Sequence, residues 1–346
     1  MNDEIFDFLI FIGRFQPFHK GHLAVIEAGL QQSEQLIVLC GSAHQPRSVR
    51  NPWTAAEREA MIRGAVATAH QPRIHIAALM DNIYNNEAWV KNVQAAVNHL
   101  VTTHYGLPHK QPRIGLIGHD RDHSAYYPNL FPQWDSVRVN NCQGISATPI
   151  REAILGKKTA GDYAQALPPN VNMDIAAFCN TEAYAMIKHE REFIREYKQS
   201  WSAAPYAPTF VTVDAVIVQS GHLLMVERKE RPGKGLLALP GGFVEQNEKL
   251  ADACLRELDE ETRLKVPKPV LKGSIKGQQV FDDPYRSARG RTITHAFYIE
   301  LAAHKDLPKV KGGDDASRAM WLPLADLDPA QIFEDHYFII QQMTGL

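Results

Sequence analysis

Two histidines and two glycines, Gly13, His19, Gly21 and His22, fall within the stretch GRFQPFHKGH at 13–22. The stretch follows an apolar, strand-like run at 8–12 and precedes apolar residues at helical spacing from 23 to 30. A helix beginning near Gly21 aims its unpaired backbone N–H groups, the positive end of its dipole and both imidazoles at whatever lies above the strand. That arrangement suits an anion; a tight turn with surface histidines is the plain alternative. A second concentration of chemistry lies in PGGFVEQNEKLADACLRELDEETRL, where Glu257, Asp259, Glu260 and Glu261 crowd one helix whose apolar face is Ala251, Cys254, Leu255 and Leu258. Glu257 with Glu261 and Glu257 with Glu260 are helical neighbours and repel by roughly 0.2–0.5 kcal/mol per pair unless neutralised. A hard divalent cation, Mg²⁺ or Mn²⁺, with oxygen ligands would neutralise them; the alternative is a solvated acidic face balanced by Lys249, Arg256 and Arg263.

The elements that must hold these residues imply two domains, the prior for 346 residues. Up to about residue 139, strand-like runs (8–12, 36–40, 74–78, 114–117 and 137–139) alternate with helical segments such as 54–69 and 87–101. This predicts an α/β domain with a doubly wound parallel sheet, whose ligands bind beyond the carboxyl ends of the strands. A charged helical stretch at 183–200 followed by SAAPYAP reads as a helix and linker. The predicted organisation is a first domain at 1–185, a helix and linker at 186–205, and a second domain at 206–346 opening with strands at 210–218 and 223–226. The net charge of −2 gives no reason to expect nucleic acid as a partner. Cys40, Cys142, Cys179 and Cys254 lack metal-ligand spacing and read as reduced buried thiols, which points to the cytoplasm. The run at 8–12 is too short to span a membrane and follows acidic residues, the wrong flank for a signal peptide. The oligomeric state, a homo-oligomer included, stays open.

Residues after successive strands share one rim of the first domain. After the second strand come Arg47 and Arg50, either solvated loop charges or phosphate contacts facing the histidine turn, with Thr54 and Glu57 in a capping-box pattern. After the third come Asp81, able to accept from a ribose or amide, and Trp89, able to stack a planar ring or to pack as a core aromatic. The fourth ends in Gly118, His119 and Asp120. The fifth leads to Ser146 and Thr148, potential helix caps, and to Arg151 in a first helical turn, a poor place for a cation unless an anion is bound there.

The set from about 8 to 180 resembles the archaeal type of nicotinamide mononucleotide (NMN) adenylyltransferases, within the nucleotidyltransferases. The resemblance implies a Rossmann-like fold in which His19, His22, Arg50 and Arg151 hold the triphosphate of ATP with help from Arg14. It places Gly13, Phe15, Gly21, Gly118, Asp120, Ser146 and Thr148 at the ATP site, and Asp81 and Trp89 at NMN. Ala147 stands where many relatives have a second serine. Farther on, Gly242, Glu248, Arg256, Glu257, Leu258, Glu260 and Glu261 resemble the Nudix box, with Arg263 in place of the final glycine, so the helix end is expected to be shaped differently. The resemblance implies an α/β/α sandwich around a mixed sheet, and hydrolysis of a nucleoside diphosphate linked to another group. Glu257, Glu260, Glu261 and the Gly241 carbonyl would hold the metal. Arg286, Arg289 and Arg291 are phosphate candidates or loop decoration; Asp314 and Asp315 are general-base candidates or an acidic turn. The whole resembles known fusions that form NAD from NMN and ATP and split ADP-ribose. The alternatives are a nucleotidyltransferase for another acceptor, or a Nudix half that senses ADP-ribose without cutting it.

Overall fold

The computed structural model describes residues 5–105, 111–119, 127–139, 144–156, 161, 163–313 and 315–346. They divide into two units, Met1–Lys188 and His189–Leu346. The first contains β1 (Phe6–Gly13), α1 (Lys20–Gln32), β2 (Ser33–Cys40), α2 (Ala55–Ala65), β3 (Ile74–Ala78), α3 (Asn86–Tyr105), β4 (Ile114–His119), α4 (Tyr127–Leu130), β5 (Asp135–Val139), α5 (Ala147–Leu155) and α6 (Pro169–Phe178). The next helix, α7 (Glu182–Ser200), contains the division. The five strands are parallel in the order β3-β2-β1-β4-β5. The central strand is apolar on both faces because both are covered: Leu9 and Phe11 join a core with Val25, Ile26, Met61 and Ile62, while Phe8 and Ile10 join another with Val93, Val97 and Phe131. Full burial of each such side chain contributes about 1.5–3 kcal/mol. The strand order reverses between β1 and β4, which opens the crevice beyond their carboxyl ends. The helix predicted over 54–69 stops at Ala65. Val66 turns to extended backbone while its N–H closes on the Ile62 and Arg63 carbonyls, and a 3₁₀ turn (Thr68–Arg73) follows.

The connection from β1 to α1 is bound to its neighbours by one side chain. Arg58, on α2, is fully buried, and its guanidinium donates to the carbonyls of Arg14 (2.6 Å), Gly41 (2.7 Å), Ser42 (3.3 Å) and Thr54 (3.2 Å). The turns after β1 and β2 are thereby tied to the start of α2. The Thr54 cap is itself closed: Thr54 Oγ1 accepts from the Glu57 N–H (3.2 Å) and the Glu57 carboxylate accepts from the Thr54 N–H (2.8 Å). Within the first turn Phe15 sits at φ 52° with its ring over Gly13, where a Cβ would stand 2.8 Å from ring atoms. Gly13 is needed for that close approach.

The second unit contains β6 (Thr209–Gln219), β7 (His222–Arg228), β8 (Leu237–Ala238), β9 (Gly241–Phe243), α8 (Leu250–Thr262), α9 (Lys268–Gly273), β10 (Ile275–Phe281), β11 (Arg291–Glu300), β12 (Ala316–Pro323) and α10 (His336–Thr344). Its mixed sheet runs β10-β11-β6-β7-β12, with β8 on β7 and β9 on β6; β11 and β6 are parallel and the other strand pairs antiparallel. Val213, Ala215 and Ile217 of β6 pack against Ala253, Cys254, Leu255 and Leu258 of α8. The expectation of a differently shaped helix end is corrected: Arg263 takes the left-handed cap conformation (φ 46°, ψ 38°) that glycine favours, and its N–H closes on the Asp259 carbonyl (2.9 Å). After α7, the stretch predicted as linker carries Trp201, whose ring lies 5.3 Å from Phe210. No helix among the described residues is long and apolar enough to cross a membrane.

Two outcomes test this account. Arg58→Met is expected to lower stability by about 2–4 kcal/mol in urea unfolding, because buried carbonyls lose their donors; an unchanged midpoint would contradict the clamp. Arg263→Gly is expected to raise the stability of the second unit by about 0.5–1 kcal/mol by relieving a backbone conformation that costs an arginine more than a glycine. A lower unfolding midpoint would show that no strain is held there.

Candidate functional site

In the first unit the site grows from the N-terminus of α1. His19 is the N-cap, and the two histidines cap each other: the His22 N–H donates to His19 Nδ1 and the His19 N–H to His22 Nδ1, both at 3.3 Å. The rings stack with centroids 3.6 Å apart, and His22 is also packed by Phe15 (4.9 Å) and Phe18 (5.6 Å). A neutral imidazole that accepts at Nδ1 carries its proton on Nε2, so the capping fixes the tautomer and leaves Nε2–H as each ring's donor. Gly21 is buried in the first turn of this helix.

Arg151 is buried on α5; its guanidinium donates to the Gln16 carbonyl (2.8 Å) and to Thr148 Oγ1 (3.3 Å). Burial, with the positive charges of Arg14 and Arg50 nearby, pushes it down to about 10. Arg14 and Arg50 are exposed, and Arg151 is hydrogen-bonded into the histidine turn through Gln16. Ser146 occupies the N-cap of α5 but makes no side-chain bond to the helix, and Thr148 bonds Arg151 instead; the capping role expected of these hydroxyls is corrected accordingly. Gly118 lies on β4, paired with Arg138 of β5.

Asp81 accepts from the Ser42 N–H (3.0 Å), the Ser42 hydroxyl and Gln45 Nε2 (3.4 Å), which binds it to the turn after β2. Trp89 is half-buried, its ring 5.8 Å from the buried Phe131, so the core packing anticipated for it is present. Arg47 is engaged internally, donating to Glu57 (2.7 and 2.8 Å) and to the Pro52 carbonyl (2.6 Å). Asp120 and Asp314 lie outside the described residues, as does Cys142. Cys40, Cys179 and Cys254 are free thiols.

In the second unit Arg256 lies among the carboxylates. It donates to Glu248 (3.0 and 2.6 Å), Glu257 (2.9 Å), Glu260 (2.9 Å) and the Phe243 carbonyl (3.2 Å). Among the described residues no three acidic, histidine or cysteine side chains are grouped so as to hold a metal ion. Glu261 is buried and accepts from the Gly241 N–H (3.0 Å); burial first, then the nearby Glu257, drives its carboxyl up to about 8 against that hydrogen bond. Burial also raises Glu257. At Gly242 a Cβ would lie 2.5 Å from the Glu257 carboxylate, so the bare Cα admits that group.

The three candidate arginines differ. Arg286 is buried and bound to both oxygens of Asp335 (2.8 and 3.0 Å), Arg291 pairs with Asp282 (3.6 Å), and Arg289 lies over the Phe243 ring at 5.3 Å. Asp315 is exposed, its carbonyl accepting from the Lys229 N–H (3.0 Å). Beneath β9 runs a buried group that sequence reasoning did not single out. Asp214 accepts from Thr294 Oγ1 (2.5 Å) and stands 3.9 Å from Arg286, and His336 Nδ1 accepts from the Leu239 N–H (2.9 Å). Burial pushes His336 down to about 3, which keeps it neutral and able to accept. Arg58 was missed as well; in both cases the only available signal was a charge inside an otherwise apolar pattern.

Two family models match the chain, one within each unit. Residues 10–153 match the cytidylyltransferase-like family model and residues 208–343 the NUDIX domain model. A nicotinamide/nicotinic acid mononucleotide adenylyltransferase of Acinetobacter baylyi is 38% identical over 186 residues, 54% of this chain and 93% of that protein. An ADP-ribose pyrophosphatase of Methanocaldococcus jannaschii is 38% identical over 136 residues, 39% of this chain and 73% of that protein. A bifunctional NMN adenylyltransferase/ADP-ribose pyrophosphatase of Francisella tularensis, whose crystal structure holds AMP and a manganese ion, superposes with a TM-score of 0.90 at 34% identity and covers 99% of both chains. With both halves and their order matched end to end, the chain belongs to the family of bifunctional NMN adenylyltransferase/ADP-ribose pyrophosphatases.

Proposed function

We propose that the first unit transfers the adenylyl group of ATP to nicotinamide mononucleotide, giving NAD and pyrophosphate, and that the second hydrolyses ADP-ribose to AMP and ribose 5-phosphate. The reading of the first unit rests on two histidines that cap each other at the N-terminus of α1, beside a turn whose Gln16 carbonyl is bound by the buried Arg151. In this mechanism a phosphate oxygen of NMN attacks the α-phosphorus of ATP in line, and the bond from that phosphorus to the β-phosphate oxygen breaks. The negative charge that grows on the leaving pyrophosphate is met by the histidine Nε2–H donors, the α1 N-terminus and the arginines, all in place before the reaction. Gly13, Phe15, Gly21, Gly118, Asp120, Ser146 and Thr148 shape the ATP side. Asp81 and Trp89 receive NMN, and catalysis consists of positioning and charge neutralisation without a covalent intermediate.

For the second unit the donor set fits a hard divalent cation, Mg²⁺ or Mn²⁺. Glu257, Glu260 and Glu261 would supply oxygen donors from one helix flank, with the Gly241 carbonyl as a further candidate, and Gly242 has no Cβ to bar Glu257. When bound, the metal activates water and offsets diphosphate charge. The chain's own part is to hold the carboxylates: the Gly241 N–H fixes Glu261, while Arg256 keeps Glu248 and aligns Glu257 and Glu260. Asp314 and Asp315 remain the base candidates, and Arg289 and Arg291 the phosphate contacts. The free thiols among the described residues support a cytoplasmic location.

His22→Ala is expected to reduce NAD formation from NMN and ATP by at least roughly 100-fold with an unchanged circular dichroism spectrum; unimpaired synthesis would refute the assignment. Glu257→Gln should abolish release of AMP from ADP-ribose with Mg²⁺ while NAD synthesis continues at the wild-type rate. Loss of both activities would contradict two separate sites.

A further inference from the structure

An aromatic chain in the second unit has no part in the chemistry described so far. Phe243, the last residue of β9, is 39% exposed. Its ring meets Phe210 of β6 at 5.8 Å, and Phe210 is in turn packed by Tyr197 (5.8 Å) and Trp201 (5.3 Å). The Arg289 guanidinium stands 5.3 Å from the Phe243 centroid, within cation–π range. Arg289 Nε is buried without a hydrogen-bond acceptor, an arrangement that is costly unless an acceptor arrives from outside the chain.

The pleat of β9 relates this surface to the acidic helix. Successive side chains alternate between faces, so Gly242 opens toward the Glu257 carboxylate and Phe243 projects to the opposite face, where Phe210 and Arg289 lie. The Phe243 carbonyl accepts from Arg256, the same guanidinium that binds Glu257 and Glu260. An exposed ring therefore begins one residue from the carboxylate cluster, with a cation beside it. An apolar partner would use the ring but offer Arg289 Nε no acceptor. A nucleoside diphosphate offers a planar base for the ring and anionic oxygens for both the arginine and the metal-binding flank.

We propose that Phe243, backed by Phe210 and flanked by Arg289, is the nucleobase platform of the hydrolase site. The base stacks on the face of Phe243 that Arg289 does not cover, and Arg289 donates to the ligand's oxygens or ring nitrogens. This assignment rests on reading the second unit as an ADP-ribose hydrolase and specifies how that substrate is held.

In the full-length protein with ADP-ribose and Mg²⁺, Phe243→Ala is expected to raise KM roughly 10- to 100-fold, the worth of one base–aromatic stack, with kcat within about twofold of wild type. Phe243→Tyr should restore KM, and NAD synthesis should be unaffected throughout. A wild-type KM in Phe243→Ala, or a loss confined to kcat, would overturn the platform. Phe243→Trp gives a readout independent of hydrolysis: its added emission is expected to be quenched on titration with ADP-ribose. If the wild type cuts no ADP-ribose but this quenching occurs, the hydrolase reading fails and the platform stands. If ADP-ribose is cut without quenching, the reverse holds.

Discussion

The first unit depends on a buried cation that never meets solvent. Arg58 brings together carbonyls from the turn after β1, the turn after β2 and the cap of α2. The two turns, which carry Arg14 and Ser42, would otherwise be free to move against each other. A guanidinium suits this task because it offers five donors in a rigid plane and keeps its charge when buried, whereas a lysine would offer a single point of attachment. Desolvation opposes the charge and lowers the group's proton affinity, and the carbonyl dipoles make good the lost hydration. The geometry of Arg14, of the strained turn at Phe15 and of Ser42 with its partner Asp81 follows from that one commitment.

The second unit places an arginine to a different end. Arg256 is half-exposed and bonded to three carboxylates that repel one another. It balances the cluster with Glu248 as its most extensive partner, through two hydrogen bonds, while Glu257 and Glu260 share a single guanidinium nitrogen. A divalent cation that takes Glu257 and Glu260 leaves Arg256 its bidentate bond to Glu248, so the helix is not deprived of its counter-charge when the metal binds. Glu261 stands apart from Arg256: its partner is a backbone N–H, and burial has already raised its proton affinity. The flank thus places a carboxylate of raised proton affinity at its buried end and guanidinium-paired carboxylates at its rim.

Much of this was legible in the sequence because it was local. The strand at 8–12, a helix start near Gly21, the Thr54–Glu57 cap and the run of acids around Glu257 depend on spacings of a few residues, which periodicity and capping patterns express directly. The rim residues followed from their places after successive strands, and family resemblance supplied the roles expected of them. What stayed hidden was long-range and polar. Arg58 reaches Arg14 over 44 positions and Arg286 reaches Asp335 over 49, and no local pattern marks a charge as buried. Arg263 misled for a related reason: replacing a glycine suggests a new backbone path, yet the cap hydrogen bond held the path and strained the residue instead.

The two sites solve mirror-image problems with one device. Each concentrates like charge, cations around Arg151 in one and carboxylates around Glu257 in the other, where self-repulsion alone would disperse the groups. In each, a backbone position without a side chain permits the close approach: Gly13 lies under the Phe15 ring that packs His22, and Gly242 lies against the Glu257 carboxylate. Each also ties a charged group to fixed backbone, Arg151 to the Gln16 carbonyl and Glu261 to the Gly241 N–H. In each the fold also sets how the like charges are held: the buried Arg151 is held by the Gln16 carbonyl, and Glu257 and Glu260 are paired with Arg256. Such concentrations of charge add nothing to stability by themselves, so the elements that carry them are stabilised elsewhere, in the apolar cores under β1 and β6.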